Sequence, residues 1–229
     1  MIYITGDTHG EYCDLINRME PYEPTKDDTV IIAGDFGFLW DPDDTNGLEV
    51  VSRLPYTVAF VDGNHENFDM LDTYPVEEWN GGKIHRIADN TVHLMRGQLF
   101  EIEGKTIFTM GGAYSIDKSI RKEGVSWWSA EIPTNEDYKT ANETLERCGK
   151  KADIIVTHTL PQSAIILLGI IPDQHDIELT GFFEWLYREM DFKMWFGGHF
   201  HEDKLINGNV RELYEDVVPI DERILPKTV

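Results

Sequence analysis

The sequence predicts an α/β protein in which two mixed β-sheets pack face to face and are flanked by helices. Three observations lead there. Five short runs, residues 2–5, 29–33, 57–61, 153–157 and 193–196, are rich in β-branched or aromatic side chains and end abruptly, mostly at glycine or an acid. Their apolarity is continuous rather than alternating, which marks strands buried on both faces. Helical patterns lie between them, and from residue 83 to residue 114 the chain changes to strand, turn and strand with little helix.

At the N-terminal end "IYIT" leads into "GDTHG" and a helix over residues 11–20, and "TVIIA" precedes a helical pattern over residues 46–54. After "TVAFV" come "IHRIAD", "TVHLM", "QLFEIEG" and "KTIFTMGG", where the glycine turn at residues 103–105 joins two alternating runs and signals a hairpin. A helix is expected over residues 135–148, with Asn135 at its N-cap and Gly149 just past its end. "DIIVT", a helix over residues 179–190 and "KMWF" complete the layered part, and a second hairpin is expected around Asn207 and Gly208. There is no repeat, low-complexity stretch or dividing linker, so one domain over residues 1–229 is expected.

The formal net charge is -22, from 42 acidic and 20 basic residues. Such a surface repels a phosphate backbone, so a nucleic-acid binder with a broad basic groove is disfavoured. Cys13 and Cys148 fit no metal or redox spacing and read as free thiols in a reducing compartment. With no basic leader and no apolar stretch near the roughly 20 residues that span a bilayer, the expectation is a cytoplasmic protein away from membranes.

Polar groups stand directly after the buried runs in a series: Asp7 and His9 after the first, Asp35 after the second, Asn64 and His65 after the third, His158 after the fourth, then His199 and His201 in "GGHFH". In an open α/β sheet the carboxyl ends of the strands face the ligand crevice, so these groups should converge. Asp7 and Asp35 within about 4 Å would repel by roughly 4 kcal/mol at an effective dielectric near 20. Cations resolve that repulsion. Oxygen and nitrogen donors without thiolate suit Mn, Fe, Zn, Co or Ni, and seven side chains exceed the three or four that one zinc takes. With one bridging carboxylate they fit two divalent metal ions. His85, His93 and His175 have no such company and are expected to be structural or surface residues.

Read in order, Asp7 to His9, Gly34 to Asp35, Gly63 to Glu66, His158 and Gly198 to His201 resemble the DxH, GD, GNHE, H and GHxH motifs of the calcineurin-like metallophosphoesterase superfamily. The resemblance implies a four-layer α/β/β/α sandwich. It also implies one metal held by Asp7, His9, Asp35 and His201, and a second by Asp35, Asn64, His158 and His199. His65 resembles the family's non-ligand histidine, which contacts phosphate and protonates the leaving oxygen. The implied activity is hydrolysis of a small phosphate ester, monoester, diester or nucleotide-like, by water activated between two cations about 3.5 to 4 Å apart. The alternatives are a nuclease of the GHxH branch, which the charge disfavours, and a non-catalytic interaction module, which loss of ligands would betray.

The second motif departs from the pattern. Many relatives continue it as GDxxD or GDxxDRG, whereas this chain reads "GDFGFLW", with Phe38 at the Asp position and no adjacent Arg. The protein-phosphatase branch is therefore disfavoured. A carboxylate to orient His65 must come from elsewhere, with Asp41 the candidate. A phosphate-gripping cation is sought in "YSIDKSIRKEGVSWW", residues 114–128, which gathers Lys118, Arg121 and Lys122; Arg121 is the chosen substrate contact. Trp127 and Trp128 in that loop either stack on a base or pack in the core.

Overall fold

The structure, a computed structural model, describes residues 1–41, 43, 45–221 and 224. Its first sheet contains β1 (Ile2–Thr5), β2 (Thr29–Ile32), β3 (Thr57–Phe60), β4 (Val76–Trp79), β5 (Gly82–Ala88), β6 (Thr91–Leu94) and β13 (Val217–Pro219), ordered β13-β1-β2-β3-β6-β5-β4. The second contains β7 (Gln98–Ile102), β8 (Lys105–Met110), β9 (Ile154–Thr157), β10 (Met194–Gly197), β11 (Lys204–Leu205) and β12 (Val210–Glu212), ordered β11-β12-β10-β9-β8-β7. Strands β1, β2, β3 and β6 run parallel, as do β8, β9, β10 and β12, and antiparallel strands close the edges.

Side-chain alternation builds the layers. On β2, Ile31 points between the sheets, while Val30 and Ile32 point outward to Leu15 and Met19 of α1 (Tyr12–Met19). On the second sheet Ile154, Val156 and Phe196 point inward, whereas Ile155 and Trp195 meet Phe183 and Leu186 of α6 (Ile177–Glu189). Both faces of the central strands are thus buried, which is why their sequences show no alternation. Helices α2 (Asn46–Val51) and α3 (Phe68–Leu71) join α1 outside the first sheet. Helices α4 (Asn135–Arg147) and α5 (Gln162–Leu167) join α6 outside the second. The four-layer α/β/β/α order is the one expected.

Both predicted hairpins form, β7 with β8 and β11 with β12. The cap of α4 differs. Thr134, not Asn135, is the N-cap: its hydroxyl accepts the Asp137 N–H while Asp137 accepts the Thr134 N–H, a reciprocal capping box. Helix α6 starts at Ile177, two residues earlier than its apolar pattern suggests. Strands β4 and β13 are not evident in the sequence, β4 because its side chains are mostly exposed and β13 because three residues are too few for a periodicity.

Candidate metal centre

Parallel neighbours bring their carboxyl ends to one place, and each end delivers a group from the series. Asp7 and His9 follow β1, Asp35 follows β2, Asn64 and His65 follow β3, His158 follows β9, and His199 and His201 follow β10. The sheets meet there, where His158 Nδ1 donates to the Ala33 carbonyl at 2.8 Å. That bond commits Nδ1 to carrying a proton and points Nε2 at Asp35 Oδ1, 3.3 Å away, and Asn64 Oδ1, 3.1 Å away; giving up its own proton, Nε2 would offer a metal its lone pair. His201 Nε2 lies 3.1 Å from Asp7 Oδ2 and 3.0 Å from His9 Nε2. His9 Nδ1 is 3.8 Å from Asp35 Oδ2, so the two oxygens of Asp35 face different histidines. The His199 ring centre is 5.0 Å from that of His158.

Two triplets have donor atoms mutually within 4.8 Å: Asp7, His9 and His201, and Asp7, Asp35 and His158. Asp7 belongs to both triplets, and Asp35, a member of the second, also approaches His9 of the first at 3.8 Å. Each is 1% exposed, and among the described residues every ion-pair partner they have is a histidine. Burial opposes a cationic His158, but Asp35, then Asp7, outweigh it and push its pKa up to about 10. Burial and the neighbouring His158 drop His199 to about 3, a neutral imidazole. Without a cation, one proton on His158 is what balances the two carboxylates. A divalent ion would replace it, and the donor set fits such ions.

The backbone is bent to suit. Asp35, His9, His201 and His199 have φ of 47°, 47°, 54° and 81°, left-handed values that cost a non-glycine residue of order 1 kcal/mol each and collect at functional sites. Two motif glycines are cradles: a Cβ on Gly63 would overlap Asp35 Oδ1, and one on Gly198 would overlap Asp7 Oδ1. Gly197, beside it, is also tightly placed, since a Cβ there would overlap the Leu160 side chain.

A supporting shell is largely invisible in the sequence. Glu66 is 1% exposed and accepts the Phe36 and Gly37 amides at 2.7 and 3.3 Å, tying the third motif to the turn after Asp35. Asn64 Nδ2 donates to Ser115 Oγ at 3.1 Å, and Ser115 donates to buried Glu131 at 2.8 Å, turning Asn64 Oδ1 toward the centre. Glu212 accepts the Phe200 amide at 2.8 Å under the "GGHFH" turn, and Tyr214 stacks on His201 at 4.5 Å. Spacing gives no sign of Ser115, Glu131 or Glu212, because they reach the site only through the fold.

His65 is placed beside the ligands, with Trp40 stacked at 6.4 Å between ring centres. Asp41 does not serve it: Asp41 is exposed and takes the Asp43 amide at 2.9 Å. Phe38 explains the missing carboxylate, since it is 4% exposed and packs on Phe36, which stacks on Phe60 at 4.0 Å. That position has become core. Arg121 instead lies against the imidazole, Nη1 3.2 Å from Nδ1 and Nη2 3.2 Å from Nε2, with Nε 2.7 Å from Asp117. Burial first, and the Arg121 charge as well, lower the His65 pKa against the pull of Asp35. Lys118 is engaged elsewhere, 2.7 Å from Glu131, and Lys122 is exposed. Trp128 is core and donates to Asp69 at 2.8 Å; Trp127 is half-buried under Lys118.

His93 and His85 are structural, as expected, but His93 has a carboxylate after all. Asp62, directly after β3, accepts from His93 Nε2 at 3.1 Å and from Arg96 Nε at 2.8 Å, and His85 meets His93 at 3.0 Å. His175 is a surface residue paired with Asp173 at 2.8 Å. Burial opposes the Asp62 charge, yet Arg96 and His93 hold its carboxyl well below the usual range. A depressed carboxyl stabilises the fold above about pH 4, and that contribution is lost on acidification. Arg96→Met leaves the Asp62 charge buried and should cost about 3 to 5 kcal/mol in denaturant unfolding, with most of it recovered in the Asp62→Asn double variant. A loss under about 1 kcal/mol would put the pair in the class of exposed ion pairs and overturn this reading.

Among the described residues no helix is long and apolar enough to cross a membrane. No curated protein matches the chain. Solved structures similar to it include a putative 5'-nucleotidase from Staphylococcus aureus, in complex with alpha-ketoglutarate, at 15% identity and TM-score 0.47, the alignment covering 97% of this chain and 51% of that one. Another is the sulfate thiohydrolase SoxB from Thermus thermophilus, in complex with glycerol, at 16% identity and TM-score 0.39, covering 91% and 37%. A protein serine/threonine phosphatase from Saccharomyces cerevisiae aligns at 13% identity and TM-score 0.37, covering 93% and 66%. The chain thus spans about half the length of the first and a smaller share of the second. The sequence model of the calcineurin-like phosphoesterases matches residues 1–203, from before Asp7 to beyond His201, and by that match the chain belongs to their family.

Proposed function

We propose that the chain hydrolyses a small phosphate ester using two divalent cations, one held by Asp7, His9, Asp35 and His201 and the other by Asp35, Asn64, His158 and His199. The observation that carries this reading is the meeting of two buried aspartates whose ion-pair partners, among the described residues, are histidines only. Bound there, the cations would neutralise phosphoryl oxygens and lower the pKa of the attacking water. The protein's own part is placement: Ala33 and Ser115 hold His158 and Asn64 in the orientations that present a lone pair. His65 is assigned the proton for the leaving oxygen. Every ligand of the motif set is present, which argues against a non-catalytic module, and the net charge of -22 argues against a nuclease. The test is purified protein loaded with Mn and assayed on monoesters, diesters and cyclic nucleotides. Turnover of none of them, with metal bound, would overturn the proposal.

Arg121 supports a phosphate clamp, since Asp117 holds its Nε while both Nη groups are turned to His65 at the edge of the centre, where a phosphate would sit. It can grip two phosphate oxygens at once. Arg121→Ala should raise KM or lower kcat on a monoester dianion more than on a diester, at unchanged metal content, and Arg121→Lys should recover part of the loss. Changes within about twofold on both, well under the tenfold of 1.4 kcal/mol, would leave Arg121 a packing residue.

A further inference from the structure

Beside the candidate centre a cavity of about 590 Å³ shares Asp35, Asn64, His65, His199 and His201 with it. One wall is the segment after β8, Tyr114 to Asp117; the other is the connection from α5 to α6, with Ile170, Ile171 and Pro172. The walls are largely apolar, and Ile116 and Ile171 at the rim are 80% and 89% exposed. Two residues lining it break that pattern. Asp176 and Thr159 carry polar atoms, Oδ1 and Oγ1, that are buried without a hydrogen-bond partner among the described residues. Asp176 is only 5% exposed, and although it occupies the N-cap position of α6 its side chain caps nothing.

No lysine or arginine lines this cavity among the described residues. The other three aspartates there are engaged, Asp35 with His158 at 3.3 Å, Asp117 with Arg121 at 2.7 Å and Asp173 with His175 at 2.8 Å. The Asp176 carboxyl takes the Tyr114 amide, yet its Oδ1, just beneath the cavity wall, has no partner among the described residues. An unpaired buried carboxylate oxygen is costly, and a donor brought by a ligand relieves it. An anion brought against Asp176 would meet a carboxylate, with no lysine or arginine lining the cavity to pair with it. Burial already pushes the Asp176 carboxyl up to about 6, and a cationic donor would restore its charged form.

We propose that this cavity receives the alcohol half of the ester, and that this half is largely apolar, carries no second anionic group, and presents a hydrogen-bond donor, ammonium or hydroxyl, to Asp176 and Thr159. That the ligand is an ester rests on the phosphoesterase reading; the preference of the cavity does not. A matched set isolates it: benzyl alcohols whose para substituent is aminomethyl, hydroxymethyl, methyl or carboxylate, titrated by NMR into metal-free protein, with their phosphate esters assayed on metal-loaded protein. The aminomethyl form should bind about tenfold more tightly than the methyl form, as a charge-assisted hydrogen bond allows, with hydroxymethyl between them and carboxylate weakest. Asp176→Asn should collapse the aminomethyl-to-methyl ratio toward one, and the isosteric Thr159→Val should reduce the hydroxymethyl advantage. The kcat/KM values of the esters should follow the same order. Binding of none of the four alcohols, or an order independent of the para group, overturns the proposal, as does a ratio that survives Asp176→Asn. If the binding order holds and no ester is hydrolysed, the phosphoesterase reading fails and the cavity's preference stands. Hydrolysis indifferent to the para group gives the reverse.

Discussion

Asp35→Asn should leave the chain with well under one bound metal where the unaltered protein, loaded and desalted, holds close to two. It should also cost about 10³ or more in activity, since the proposed cations would supply several kcal/mol of transition-state stabilisation and each 1.36 kcal/mol is tenfold. The reason is position: Oδ1 of Asp35 lies 3.3 Å from His158 and Oδ2 lies 3.8 Å from His9, so one carboxylate reaches a histidine of each proposed site. Asparagine keeps the size, and its oxygen can still accept the His65 amide that Asp35 Oδ1 accepts at 2.7 Å, so the turn should survive. A thermal readout separates folding from binding. A ligand at 100 times its Kd stabilises by about 2.7 kcal/mol, so Mn should raise the Tm of the unaltered protein and leave that of Asp35→Asn nearly unmoved. His201→Ala gives the contrast, because His201 is exposed on one side and pairs with Asp7 rather than Asp35; it should lose chiefly one metal. Two metals and full activity retained in Asp35→Asn would sink the bridging role. One metal or fewer in a fully active unaltered protein would sink the dinuclear reading altogether.

Much of this centre was legible because its donors sit directly after buried strands, where a residue type and a strand end are both visible in one dimension. The layers were legible for the same reason, continuous apolar runs such as "TVIIA" being what two buried faces require. The hidden residues reach the site across the fold. Glu131 holds Ser115, which turns Asn64, and Glu212 holds the Phe200 amide, yet none of them lies in a motif. Asp41 is near in sequence to the missing aspartate but fails as its substitute, because "DFGFLW" turns Phe38 into the core. Arg121 stands out in sequence as the nearest basic candidate in a loop rich in basic residues and is found against His65, although nothing in the loop's sequence shows that Glu131 occupies Lys118. The cap of α4 is displaced by one residue because Asn135 is a good cap in isolation, whereas the reciprocal pair needs Thr134 with Asp137 three residues on.

His65→Asn should lose about 10² to 10⁴ in rate on esters with poor leaving groups, the range typical of general acid catalysis, while keeping its metals. The motivation is geometric. His65 stands beside Asn64 and its amide donates to Asp35, yet its ring faces Trp40 and Arg121 and stands in neither close donor triplet. A ring outside both triplets and lining the cleft is placed to meet the leaving oxygen, and because burial and Arg121 lower its pKa, it would carry the proton it delivers when a bound phosphate offsets the Arg121 charge. Because nitrophenolate leaves without much help, the loss on nitrophenyl esters should be far smaller, and the variant's rates should depend more steeply on leaving-group pKa than those of the unaltered protein. The Arg121 contact supplies the rival account: removing the imidazole also removes the surface on which the guanidinium rests. If His65 acted only through Arg121, then His65→Asn and Arg121→Ala would show the same profile, with equal losses on good and poor leaving groups. A loss confined to poor leaving groups in His65→Asn, set against a leaving-group-independent loss in Arg121→Ala, separates proton delivery from phosphate grip. Equal losses in His65→Asn on both ester types would remove the proton from His65 and leave it a residue that shapes the site.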